Sequence, residues 1–60
     1  MNKTNEIKFF DVNDVGKMLG VGKSKAYQVI RKLNKELEKN GYLIVAGKIP
    51  KKYFLERIYG

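Results

Sequence analysis

Apolar residues along this 60-residue chain fall into two stripes of helical spacing, one β-branched run and one short closing pattern. Val12, Val15, Met18 and Leu19 recur every three or four residues and predict a first helix with a single apolar stripe. Its start is marked three ways. Asp11 suits an N-cap, Asp14 three residues later can reach back as in a capping box, and Phe10 faces Val15 as a hydrophobic staple requires. Gly20 ends the helix, Val21 is expected to point into the core from the turn, and Gly22 is a tolerable N-cap for a second helix.

A longer pattern runs from Lys23 to Asn40. At about 100° per residue, Ala26, Val29, Ile30, Leu33 and Leu37 fall within roughly 80° of one another, an amphipathic stripe. The opposite face carries Ser24, Gln28, Arg31 and Lys35, flanked by Lys25, Tyr27 and Lys32. Gly41 marks the stop, with Lys39 set against the negative end of the helix dipole. Ala26, Ile30, Leu33 and Leu37 also fit alternating heptad positions, but the pattern is too short to specify a coiled coil, and core packing is the expectation.

Beyond the second helix, Tyr42 to Ala46 is apolar and β-branched, Ala46-Gly47 can turn, and Lys48-Ile49 can return, which predicts a small hairpin with a cationic tip. Two strands are not stable alone and must lean on the helices. Pro50 suits the first position of a helix running from Lys51 to Ile58, with Tyr53, Phe54 and Ile58 available for packing. Ahead of the first helix, Ile7 to Phe10 forms an extended segment or brief strand, and residues 1–6 are polar and expected to be flexible. The expected fold is mainly α with a small β-hairpin, a single domain over residues 7–60.

So short a chain buries only roughly 60% of the surface it exposes when unfolded, so the core is small. With no Cys and no His, disulfides and zinc-finger-type sites are excluded, and no cofactor is expected. The chain also lacks clustered carboxylates, so the usual acid/base and nucleophile sets cannot be assembled and no enzyme activity is expected. No apolar run approaches a membrane span, and the first residues lack the apolar segment of a signal peptide, so the expected location is the cytoplasm. Charge changes the picture most. The chain carries +7, yet Met1 to Gly22 balances Lys3, Lys8 and Lys17 against Glu6, Asp11 and Asp14, so the whole excess lies after Gly22. Such asymmetry is the electrostatic footprint of a nucleic-acid binder.

Within that stretch, Gly22-Lys23-Ser24 looks like the close of a phosphate-binding P-loop. The first glycine of that motif would have to stand five residues before Gly22, where Lys17 stands, and a helix pattern precedes it in place of a buried strand. Nucleotide binding, and a small-molecule ligand generally, are therefore not expected. Two amphipathic helices joined by a short Gly-containing turn instead predict a helix-turn-helix, with Leu19 to Gly22 as the turn and the helix from Lys23 as the reading helix.

The runs "DVNDVGKMLGVGKSKAYQVIRKLN" and "GYLIVAGKIPKKYF" resemble the small excisionase-type winged helix-turn-helix proteins of phages and conjugative elements, relatives of the MerR-like DNA-binding domain. The resemblance spans Phe10 to about Tyr59 and departs at Gly16 and Gly22, where that family usually has Ala and Ser. It implies three helices plus a two-strand wing whose tip is Ala46-Gly47-Lys48. It also implies double-stranded DNA as partner, a role as excisionase or recombination directionality factor, and a recombinase of the integrase type as protein partner. A transcriptional regulator of a mobile element is the alternative within the same fold, because fold alone does not select the role.

In that frame Arg31 is the candidate for a bidentate contact to guanine, and Gln28 for reading adenine through its amide. Ser24, Lys25 and Tyr27 lie near the helix start, where phosphate or base contact is expected, and Lys32 and Lys35 continue the cationic face. Lys23 opens the helix, where backbone N–H groups can hold a phosphate oxygen. Lys48 at the wing tip, with Lys51 and Lys52, is expected to extend the phosphate track. A module this small covers roughly 600–1,000 Å² of DNA, so tandem or cooperative self-association is expected. A basic RNA-binding protein is a weaker reading, since RNA modules present stacking aromatics on a sheet face that this chain is too short to build. A protein or membrane partner bound through the long basic helix is a third reading, and it is weaker because the core takes the apolar face that such a helix needs.

Overall fold

The computed structural model describes residues 8–60, and the expectations for residues 1–7 lie outside it. Five elements succeed one another in order: β1 (Phe9–Asp11), α1 (Val12–Leu19), α2 (Lys23–Lys39), β2 (Lys48–Pro50) and α3 (Lys51–Tyr59). The fold is three helices plus a two-stranded antiparallel sheet, as the sequence predicts.

The capping box forms as expected: the Asp14 N–H donates to Asp11 Oδ1 at 2.9 Å, and the Asp11 N–H donates to Asp14 Oδ2 at 3.1 Å. Gly20 terminates α1 in the left-handed region at φ +71°, a conformation that a Cβ disfavours. α2 closes on a Schellman motif, with the Tyr42 N–H donating to the Leu37 carbonyl at 3.0 Å and the Gly41 N–H to that of Glu38 at 3.0 Å.

The core is the expected stripe of α2 with contributions from every other helix and from β2. Val15, Ala26, Ile30, Leu33, Leu37, Ile49 and Phe54 are buried, and Phe10, Val12, Val21, Val29, Ile44, Tyr53 and Leu55 pack around them. α1 crosses α2 closely at Gly16, where a Cβ would sit 3.1 Å from the Val21 carbonyl and 3.7 Å from the Ala26 Cβ. Phe10 meets Phe54 edge to face, with ring centroids 5.5 Å apart. Met18 and Leu19, expected on the buried stripe, remain 45% and 38% exposed because the stripe drifts off the core in the last turn of α1.

The strand pairing differs from the expected hairpin. Lys48–Pro50 is a strand, but its partner is Phe9–Asp11, in the register Phe9 to Pro50, Phe10 to Ile49 and Asp11 to Lys48. Tyr42 to Val45 is not a strand. The turn itself is present, since the Lys48 N–H donates to the Val45 carbonyl at 3.1 Å with Gly47 at φ +76°. A tight hairpin would need left-handed φ at Ala46 as well, which alanine resists, and other turns splay their flanks. Pro50 is the N-cap of α3 and the end of β2, one position earlier than expected, and the Lys51 N–H extends the ladder to the Lys8 carbonyl at 2.9 Å.

α3 is held on α2 by Glu36. Its carboxylate accepts from the Tyr53 hydroxyl at 2.6 Å, from Arg57 Nε at 2.9 Å and from Arg57 Nη2 at 2.8 Å. The Arg57 guanidinium first, and the Tyr53 hydroxyl second, lower the Glu36 carboxyl from the usual 4.5 to about 2. A carboxylate lowered by folding contributes stability that is complete above its unfolded value and is lost as pH falls through the folded one. On thermal unfolding, the native chain should therefore lose more stability than Glu36→Gln as pH drops from 4.5 to about 2, and parallel curves would contradict the bridge.

Candidate nucleic-acid interface

α1, the turn at Gly20 to Gly22 and α2 make a helix-turn-helix, and the first residues of α2, Lys23 to Lys25, are exposed. Gly22 is the N-cap at φ −74° and ψ 173°, with no side-chain capping bond, and the first turn of α2 contains no acidic residue. The leading N–H groups of such a helix have no intrahelical acceptor, and with Lys23 and Lys25 beside them they form a positive end.

Ser24, Gln28, Arg31 and Lys35 succeed one another at four- and three-residue steps, which places them in one row along the helix. All four are exposed, as are Lys23, Lys25, Lys32 and Tyr27, the last at 43%. Gln28, Arg31, Lys32 and Lys35 line a shared shallow depression. Of the two acids on α2, Glu36 is turned onto α3, so the cationic row keeps its field.

Lys48 is exposed, and its strand is fixed on both sides. On one side the ladder pairs it with Asp11. The Asp11 carboxyl is held below its usual value, first by the Asp14 N–H and to a smaller degree by the charge of Lys48. On the other side Asn34 Nδ2 donates to the carbonyls of Lys48 at 2.9 Å and Val45 at 3.3 Å.

The remaining two expected cations are placed elsewhere. Lys51 is half-buried with its Nζ 5.4 Å from the centroid of the Phe10 ring, a cation–π contact that ties α3 to β1. Lys52 lines a groove with Leu37, Asn40, Tyr42, Leu43, Tyr53 and Glu56, on the α3 side of α2. Tyr53 and Phe54 face inward as expected, Phe54 fully buried and Tyr53 half-buried on Glu36. Asn34 is not among the residues that the sequence singles out by charge, yet its position carries a signal: it falls four residues after Ile30 and three before Leu37, so a polar residue stands on the core side of the helix.

Among the described residues no group of three or more Asp, Glu, His or Cys side chains is arranged to hold a metal ion, and no helix is long and apolar enough to cross a membrane.

The chain is 37% identical over 49 residues to the ICEBs1 excisionase of Bacillus subtilis strain 168, an overlap that covers 82% of this chain and 77% of that protein. No family model matches the chain. No solved structure matches it.

The geometry of the turn has a direct test in stability. Gly20→Ala should cost about 1 kcal/mol, because φ is positive there. Gly22→Ser, at an extended N-cap with open space for its Cβ, should stabilise by a few tenths of a kcal/mol. Denaturant midpoints that move in the opposite order would contradict this assignment of the turn.

Proposed function

The chain belongs to the family of the ICEBs1 excisionase, and from that premise we propose that it binds double-stranded DNA of a mobile element and directs recombination toward excision. The observation that carries the reading is the exposed row of Ser24, Gln28, Arg31 and Lys35 on the second helix of a helix-turn-helix, opposite the buried stripe.

In this reading α2 enters the major groove. Arg31 makes a bidentate contact to guanine and Gln28 reads adenine. Lys23, Ser24 and Lys25 hold a phosphate at the positive end of the helix, Tyr27 supports that contact, and Lys32 and Lys35 track the backbone. Lys48 on the anchored turn acts as the wing and meets the backbone beside the groove. Lys51 and Lys52 add to the general positive field rather than to the direct track, since one lies over Phe10 and the other lines the groove beside Leu37 and Tyr42.

A recombinase is the protein partner that an excisionase role requires. The small footprint of one module favours several copies bound in tandem. Tyr42 and Leu43, 63% and 98% exposed, offer apolar surface away from the cationic row for a neighbouring copy. The working location is the cytoplasm, where the element's DNA resides.

Arg31→Ala and Gln28→Ala should relax base preference, each by about 1–3 kcal/mol of discrimination, with the fold intact. Unchanged preference in an in vitro site selection would remove α2 as the reader. Lys48→Ala should weaken binding to all duplexes and reduce the salt slope by about one. A slope equal to that of the native chain would remove the wing from the contact surface.

A further inference from the structure

The two sides of the proposed interface, the row on α2 and the turn before β2, are joined by one buried side chain. Asn34 is 4% exposed, and its Nδ2 donates to carbonyls at both ends of the turn, Val45 at 3.3 Å and Lys48 at 2.9 Å. The same Val45 carbonyl accepts from the Lys48 N–H at 3.1 Å, so the turn and its anchor share an acceptor. Asn34 Oδ1 is buried and has no partner among the described residues. An unpaired buried acceptor is a cost that an apolar residue at this position would avoid. What the amide contributes is therefore on its donor side, where it grips the turn.

Position gives that grip a consequence. Asn34 stands three residues after Arg31, so the two are neighbours on one edge of α2. The helix that presents Arg31 thus also sets where Lys48 lies. The ladder to Asp11 holds β2 from the opposite side, but no strand pairs with Tyr42 to Val45 to hold the approach to the turn. Of the neighbouring apolar residues Ile44 packs against the core, whereas Leu43 and Val45 are 98% and 47% exposed, so the approach is held at one side chain.

We propose that Asn34 is a positioning residue that locks the turn at residues 45–48 to α2, so that Lys48 meets a phosphate in fixed register with the base read by Arg31. The proposal rests on the reading of the chain as a DNA binder and names the link between its two contacts. Without the amide, the turn is released on the side facing α2, and the charge of Lys48 is no longer delivered to one phosphate.

The test is a cycle of four chains: native, Lys48→Ala, Asn34→Leu and the double variant. Leu keeps the branched shape of Asn and removes the unpaired Oδ1; it is larger, and the Lys48 carbonyl loses its Nδ2 donor, so the fold is expected to persist with a lowered unfolding temperature. Asn34→Ala serves the same comparison if the Leu chain does not fold. Each chain is titrated against its selected duplex at several salt concentrations, with thermal unfolding measured in parallel. In the native background Lys48→Ala lowers the salt slope by about one. In the Asn34→Leu background the slope is already reduced by about one, the base preference set by Arg31 is retained, and Lys48→Ala changes affinity less than twofold. An equal loss from Lys48→Ala in both backgrounds overturns the proposal, as does failure of both Asn34 variants to fold, which would make the amide a requirement of the fold alone. No effect of Lys48→Ala even in the native background sinks the wing contact itself, and the positioning role with it.

Discussion

Burial of one stripe of α2, from Ala26 to Leu37, is the constraint on which the remaining structure depends. A chain this short has room for a single core, and a 17-residue helix crosses the whole of it. α1 approaches that helix where Gly16 meets Ala26, α3 is tied to it through Glu36, and the turn before β2 is tied to it through Asn34. With those sides occupied, one face is left to solvent. That face holds Ser24, Gln28, Arg31 and Lys35, so burying the stripe and presenting the reading row are one event.

Electrostatics sharpens this division. Glu36 spends its charge on Arg57, and Asp11 lies beside Lys48 across the ladder while serving as the cap of α1. Lys51 is drawn over Phe10. The formal excess of +7 is therefore distributed unevenly: Arg57 and Lys51 hold the fold together, whereas among the described residues the cations on the outer face of α2 form no salt bridge. The uncapped, acid-free start of α2 adds the partial charge of its backbone to the same region.

The parts legible in the sequence were those governed by local chemistry. Helical periodicity located α1 and α2, the Asp11 and Asp14 pair announced its capping box, and Gly20 and Gly41 marked the two helix ends. What was not legible depended on contacts between distant residues. Tyr42 to Val45 has the composition of a strand, yet β2 pairs with Phe9–Asp11, about 40 residues away in sequence, because the turn at Gly47 does not bring its own flanks together. The roles of Asn34 and Glu36 also depend on partners 11 to 21 residues distant. The exposed row of the interface could be read as a row from spacing alone, whereas the placement of Lys51 over Phe10 and of Lys52 beside Leu37 and Tyr42 required the packing of α3.

The central claim is that α2 lies in the major groove with the turn before β2 beside it. Methylation interference on a selected duplex measures this most directly, because guanine N7 is modified in the major groove and adenine N3 in the minor groove. The account predicts interference at guanine N7 within one short segment, where Arg31 falls. Interference confined to the minor groove, or absent from both grooves while binding persists, would contradict it.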